Sequence, residues 1–167
     1  MKKQPGIKLF LSAILIMISC LCPGQPSDIP KNIPVFKLVL SDGKTYFNSA
    51  QIEKNKPLML IYFDPDCDHC RQFAANLEKN ITKFSKVQII MICPSPNLYL
   101  LKKFAVENKL STFPNVKIGT EGIYHPVMNF YHVQITPFTA LYDSKGMLIT
   151  SYRNMPLIDD LVAHLKK

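Results

Sequence analysis

Two cysteines three positions apart are the residues of this chain best suited to chemistry. Cys67 and Cys70 enclose Asp68 and His69, and the four residues follow an apolar run over residues 58–63. A helical pattern begins at the second cysteine, so the pair lies where a strand meets the first turn of a helix. The amino terminus of a helix stabilises a thiolate, which is the reactive form of cysteine. The spacing therefore predicts a redox-active dithiol.

The elements that must position this dithiol are predicted from the apolar pattern. Continuous apolar runs over residues 58–63 and 87–93 predict two strands buried on both faces. Four apolar residues between the runs recur at helical spacing: Phe73, Ala74, Leu77 and Ile81. This helix would turn Cys70 inward and leave Cys67 at the exposed tip. A second helix near Leu98 completes a βαβα order, which predicts parallel strands with functional residues at their carboxyl ends.

Shorter patterns predict the rest of the fold. A short helix is predicted over residues 123–130, interrupted at Pro126, and Pro156 is expected to open the last helix. The remaining strands are predicted where short apolar runs meet turn signals: residues 36–40 in a peripheral hairpin, 115–119, and an antiparallel hairpin of 138–142 and 147–152.

Composition limits the function classes. The chain is 47% hydrophobic and 19% charged, which is typical of a globular domain rather than a disordered chain. Its formal net charge is +8, but Lys2, Lys3 and Lys8 contribute three of these charges before any acidic residue occurs. The other lysines are scattered, and no basic run alternates with aromatic residues. Nucleic acid is therefore not a predicted partner.

The amino terminus resembles an export leader. Residues 1–24 combine a basic start with an apolar stretch too short to span a bilayer, which is typical of a signal peptide. Cleavage after Gly24 is one interpretation, lipidation of Cys20 in a lipoprotein-like box is another, and an uncleaved anchor is the third. Residues 25–34 are predicted to form an extended tether, and residues 35–167 are predicted to form one domain. The predicted location is the periplasm or cell envelope.

The mature chain would keep three cysteines, which argues against a structural disulfide framework. An exported protein stapled by disulfides usually shows several spaced pairs, whereas here Cys67 and Cys70 are close together and Cys93 is alone. Closing so short a loop removes little entropy from the unfolded chain. The Cys67–Cys70 pair is thus predicted to be functional. Cys93 is either a small buried hydrophobic residue or a third redox thiol.

At this point the chain resembles the thioredoxin-like superfamily, in particular exported thiol-disulfide oxidoreductases of the TlpA/ResA type. The resemblance runs from residue 35 to 167 and rests on Cys67-Asp68-His69-Cys70 together with Thr136-Pro137 at the head of a strand. It implies an α/β thioredoxin-like fold: a central mixed β-sheet flanked by helices, with an amino-terminal hairpin and an inserted strand and helix. It also implies that Pro137 is cis and that the Thr136 backbone faces the disulfide and binds substrate.

The resemblance implies disulfide exchange with exported proteins and an unidentified redox partner, by a monomer that needs no metal and no cofactor besides its own disulfide. Cys67 is expected to attack and Cys70 to resolve the mixed disulfide. Asp68 and His69 would tune the potential in opposite directions. His69 resembles the histidine of the strongly oxidising DsbA proteins, whereas Asp68, like Asp64 nearby, would raise the pKa of a thiolate. The direction of the reaction stays open.

Two residues differ from the family pattern, and two alternative functions stay open. Asp66 replaces the tryptophan that commonly precedes the first cysteine, and Ile61 replaces the buried acid of thioredoxin; Asp64 is either its substitute or an exposed loop carboxylate. One alternative is a copper-delivery protein of the same fold, with His125 or His132 as the distal ligand. The other is a thioredoxin-fold binding module without turnover.

Overall fold

The two continuous apolar runs form the centre of a mixed sheet. The computed structural model describes residues 30–165, and this part of the chain contains a seven-stranded sheet in the order β2-β1-β5-β4-β3-β6-β7. Its strands are β1 (Lys37–Leu40), β2 (Tyr46–Asn48), β3 (Leu58–Tyr62), β4 (Gln88–Cys93), β5 (Val116–Thr120), β6 (Phe138–Tyr142) and β7 (Leu148–Tyr152). The α-helices are α1 (Asp68–Lys79), α2 (Leu98–Glu107), α3 (Pro126–Tyr131) and α4 (Ile158–Leu165).

Strand direction brings several chain segments to one edge of the sheet. β3 pairs with β4 and β4 with β5 in parallel, while β6 runs antiparallel to β3. Every residue of β3, β4 and β6 is buried, as expected for strands covered on both faces. The carboxyl ends of β3, β4 and β5 therefore share an edge with the start of β6.

Helices cover both faces and close two apolar clusters. On one face, α1, α2 and α4 contribute Phe73, Leu101 and Leu161 to a cluster that also contains Cys70. On the other face, α3 contributes Val127 and Tyr131. The predicted α/β architecture, with parallel central strands and an antiparallel hairpin at the end, is confirmed.

Three details differ from the sequence prediction. Pro126 begins α3 instead of interrupting a helix, because proline suits a first helical turn whose N–H groups have no partner within the helix. The last helix begins at Ile158, beyond Pro156. The strand predicted at the periphery, β1, lies inside the sheet between β2 and β5, and β2 forms the edge.

The predicted leader with Cys20 lies outside the described residues, as does the tether up to residue 29. The last residues of that tether are held against the domain, where Leu148 N–H donates to Lys31 O at 3.0 Å and Pro34 is buried. Within residues 30–165, no helix has both the length and the apolar character needed to cross a membrane.

Candidate active site

Cys67 occupies the N-cap position of α1, at the edge of the sheet where β3 ends. Its backbone is extended, its side chain is half-buried, and its N–H donates to Asp64 O at 3.1 Å in the preceding turn. The Cys67 Sγ lies 3.6 Å from Thr136 O, to which the thiol can donate. Cys67 lies here because β3 ends at Tyr62, a short turn follows, and α1 begins at Asp68, directly after the cysteine.

The environment of Cys67 favours its thiolate. Partial burial by itself would raise the pKa of this thiol, but hydrogen bonds from the Cys70 thiol, the Cys70 N–H and the Thr136 hydroxyl act in the opposite direction. The net result is that the pKa of Cys67 lies below its usual value. Hydrogen bonds to the charged form account for this lowering.

Cys70 lies one helical turn further on and is only 1% exposed. Burial raises the pKa of its thiol to about 12, despite opposing hydrogen bonds from the Asp64 N–H and the Thr136 hydroxyl. The two adjacent thiols therefore differ strongly in acidity. At neutral pH the half-buried Cys67 is therefore the more acidic and more accessible of the two thiols, and Cys70 is a protonated thiol in the core.

Thr136 and Pro137 face the dithiol from the start of β6. The Thr136–Pro137 peptide bond is cis, and Pro137 is buried. The structure thus brings together Cys67, Cys70 and Thr136, which are separated by up to 69 positions in the sequence. The Thr136 carbonyl, just before β6, is the polar group that this segment presents to Cys67 Sγ.

The residues between and before the cysteines are mostly exposed. Asp68 forms an ion pair with Arg71 one turn along α1, and Arg71 also donates to Pro65 O at 3.1 Å. His69 is exposed. Asp64 is half-buried, and its carboxylate accepts the Asp66 N–H at 2.9 Å, which fixes the loop that leads into α1.

Cys93 ends β4 at the same sheet edge but is completely buried. Its Sγ lies 3.6 Å from Ser95 O, and burial raises the pKa of its thiol to about 12. This environment favours the interpretation of Cys93 as a small buried residue over that of a reactive thiol.

A buried carboxylate that sequence reasoning did not single out lies beside the end of β3. The side chain of Glu121 has no exposed surface, and it accepts hydrogen bonds from Tyr62 Oη at 2.6 Å and Val127 N at 2.7 Å. Burial, followed by the bond to Glu121, raises the pKa of Tyr62. Glu121 thereby ties the first turn of α3 to the end of β3. Its only sequence signal was an acid directly after an apolar strand.

The histidines proposed as distal metal ligands lie at the two ends of α3, where His125 precedes the helix and His132 follows it. Within residues 30–165, no group of three or more His, Cys, Asp or Glu side chains is arranged to hold a metal ion.

Sequence comparison gives a limited result. No protein-family model matches the chain. Among curated proteins, the chain is 28% identical over 72 residues to Bloodstream-specific protein 2 of Trypanosoma brucei brucei. The match covers 41% of this chain but 14% of that protein, so the chain corresponds to a small part of its relative's length.

Comparison with solved structures gives a clear result for the fold. A secreted disulfide oxidoreductase of Mycobacterium tuberculosis matches with a TM-score of 0.65 and 20% identity, over 77% of this chain and 92% of that chain. A thiol-disulfide oxidoreductase of Bacteroides fragilis matches with a TM-score of 0.66 and 18% identity, over 81% and 98%. StoA of Bacillus subtilis matches with a TM-score of 0.62 and 16% identity, over 80% and 98%. The chain therefore has the thioredoxin-like fold, in the form that these thiol-disulfide oxidoreductases share.

Proposed function

We propose that this protein is a thiol-disulfide oxidoreductase that exchanges disulfides with exported proteins through Cys67 and Cys70. The observation that carries the proposal is the placement of the two thiols: Cys67 is half-buried at the N-cap of α1, 3.6 Å from Thr136 O, while Cys70 one turn further on is only 1% exposed. In keeping with this placement, the pKa of Cys67 is lowered and burial raises that of Cys70 to about 12. An accessible nucleophile beside a buried resolving thiol is the arrangement that disulfide exchange requires. The likeness to oxidoreductases of the same fold supports it.

The reaction follows from thiol chemistry. The Cys67 thiolate attacks one sulfur of a partner disulfide, and the other partner sulfur leaves as a thiolate and takes up a proton. Cys70 then loses its proton and attacks Cys67 Sγ, which forms the Cys67–Cys70 disulfide and releases the second partner sulfur. Two electrons pass to the partner. In the reverse direction, the Cys67–Cys70 disulfide accepts two electrons from a partner dithiol.

Thr136 and Pro137 serve as the substrate-binding segment in this proposal. The Thr136 carbonyl lies 3.6 Å from Cys67 Sγ, so a partner bonded to Cys67 must pass directly beside this backbone. An extended partner segment can form main-chain hydrogen bonds there, as peptides do at exposed strand edges. The protein itself would act as a monomer, with no cofactor other than its disulfide.

Export is part of the proposal. The leader-like residues 1–24 support a location in the periplasm or cell envelope, with a lipid on Cys20 as the anchor if that cysteine becomes the first residue. Intact-mass measurement of the protein purified from whole cells separates the outcomes. A diacylated amino terminus at Cys20, a free terminus at Gln25 and an unprocessed chain have different masses.

Disulfide exchange is tested by insulin reduction and by refolding of scrambled ribonuclease. Wild type should be active in at least one assay, and Cys67→Ala should be inactive in both because the nucleophile is gone. Cys93→Ala is the matched control and should retain activity, since Cys93 is buried and hydrogen-bonded away from the dithiol. Absence of wild-type activity in both assays would refute the proposed function.

The direction of electron flow is measured by equilibrating the dithiol with glutathione. A reduction potential of about −270 mV would indicate a thioredoxin-like reductant, and one of about −120 mV would indicate a strong oxidant. Asp68→Asn and His69→Ala, measured in the same buffer, report how far each residue tunes this potential.

A further inference from the structure

A buried threonine in β6 has an unusual environment. Thr139 in β6 is 0% exposed, yet its Oγ1 has no hydrogen-bond partner among the described residues. Folded proteins pair nearly all of their buried polar atoms, so an unpaired hydroxyl in the core needs a reason. A valine would fill the same volume without leaving a polar atom unpaired.

Sheet register places this hydroxyl on the same side of the sheet as Cys70. Thr139 lies directly opposite Ile61 of β3. Side chains of directly opposed residues in antiparallel strands project from the same face. Ile61 belongs to the apolar cluster that contains Cys70. The Thr139 side chain therefore enters the same apolar cluster as Cys70, on the face of the sheet that α1, α2 and α4 cover.

Thr139 also follows the Thr136–Pro137 segment closely along the chain. Residues two apart in a strand share a face and are separated by about 7 Å, so Thr139 lies roughly one side-chain layer below Pro137. The carbonyl of the residue before that proline, Thr136, lies 3.6 Å from Cys67 Sγ. Thr139 is thus the first polar side chain of β6 after the Thr136–Pro137 segment, and it lies on the face of the sheet that holds Cys70.

Cys70 needs such a group during disulfide closure. It must become a thiolate to attack Cys67, but burial opposes this and raises its pKa to about 12. Thioredoxin-like proteins commonly carry a buried acid at the position of Ile61, and this chain has none there. A hydroxyl directly across from Ile61 fills part of that role, because a hydrogen bond or an oriented dipole stabilises a buried anion strongly at low dielectric.

We propose that Thr139 stabilises the Cys70 thiolate as it forms in the mixed disulfide, by turning its unpaired hydroxyl toward the sulfur. The inference rests on the proposed function and adds a residue to it. The Cys70 proton goes to solvent, the Cys67–Cys70 bond forms, and the bond between Cys67 and the partner breaks, with the partner sulfur leaving as a thiolate. No further oxidant is needed, because the partner disulfide accepts both electrons.

The test follows the release of thionitrobenzoate when the reduced full chain reacts with the disulfide reagent dithiobis(nitrobenzoate). The chain carries Cys20→Ser and Cys22→Ser, and the reaction has two phases. Cys67 releases the first thionitrobenzoate, and closure by Cys70 releases the second. Thr139→Val should leave the first phase unchanged and slow the second about fivefold at pH 7, the effect of losing one modest hydrogen bond. The midpoint of the pH profile of closure should rise by roughly 0.7 pH units, which corresponds to the same factor.

Thr139→Ser is the matched control, because it keeps the hydroxyl and removes only a methyl group. It should close at nearly the wild-type rate although the lost methyl lowers its denaturation midpoint, whereas Thr139→Val should close slowly with a midpoint no lower than wild type. Closure in Thr139→Val at the wild-type rate and pH profile overturns the inference, as does equal slowing in Thr139→Ser. If wild type shows neither phase, the proposed function itself fails and the inference falls with it.

Discussion

Removal of the Tyr62 hydroxyl should measurably loosen the end of β3, the strand that precedes the dithiol. Tyr62→Phe keeps the buried ring and deletes the 2.6 Å hydrogen bond to Glu121. A hydrogen bond to a charged group contributes about 1.5–3 kcal/mol, so we expect the free energy of unfolding to fall by about 2 kcal/mol. For a domain of this size that corresponds to a decrease in Tm of roughly 7 °C. The ring remains buried, so the slope of the unfolding free energy against urea concentration should be the same as in wild type.

A double-mutant cycle with Glu121→Ala assigns the effect to this pair. Glu121→Ala leaves the donors of Tyr62 and Val127 unpaired in the core and should reduce stability by about 4 kcal/mol. Because both single changes remove the same bond, the double variant should be about 2 kcal/mol more stable than the sum predicts. Urea unfolding followed by far-ultraviolet circular dichroism suits this chain, which has no tryptophan. Strict additivity of the two changes would refute the assignment.

Three further outcomes follow from the environments described above. The rate of Cys67 alkylation should reach half its maximum at a pH below the ordinary cysteine pKa. Cys70 should stay unmodified at pH 8, since burial raises its pKa to about 12. Equal labelling of both cysteines by mass spectrometry would contradict this. Burial raises the pKa of Tyr142 from 10.0 to about 12, so its stabilising contribution is complete below pH 10 and lost between pH 10 and 12. The urea midpoint should fall across that range, and less steeply in Tyr142→Phe. Gly119→Ala should lower stability by about 2 kcal/mol, measured by urea unfolding, because its Cβ would lie 2.9 Å from Val39 O and from the Leu38 side chain. An unchanged midpoint in Gly119→Ala would show that β1 and β5 separate at little cost.

Local patterns predicted the features that depend on neighbours in sequence. The continuous apolar run before Cys67 and the helical spacing after Cys70 are sufficient to place both cysteines at a strand–helix junction. Pro126 was harder, because proline in an apolar pattern is compatible with a kink or with a first helical turn. The structure shows the first helical turn, and Glu121 accepts the hydrogen bonds of the amides that follow that proline.

Features that depend on contacts distant in sequence could not be predicted. Glu121 is an unremarkable acid until the sheet brings it to Tyr62, 59 positions earlier. Thr139 is likewise indistinguishable from any threonine in a strand, because threonine favours strands for its branched side chain. Thr139 is distinguished only by the pairing of β6 with β3, which sets it opposite Ile61, and by its hydroxyl, which has no hydrogen-bond partner among the described residues.

The acidity of Cys67 is explained by contacts rather than by nearby charged side chains. Asp68 is compensated by Arg71, and it lies in water, where exposed charges are strongly screened. The hydrogen bonds to Cys67 from Cys70 and Thr136, in contrast, act directly on the sulfur. Substitution of Asp68 or His69 should therefore shift the reactivity of Cys67 less than a change that moves Thr136. The same reasoning explains why an aspartate in place of the usual tryptophan before Cys67 is compatible with a reactive dithiol.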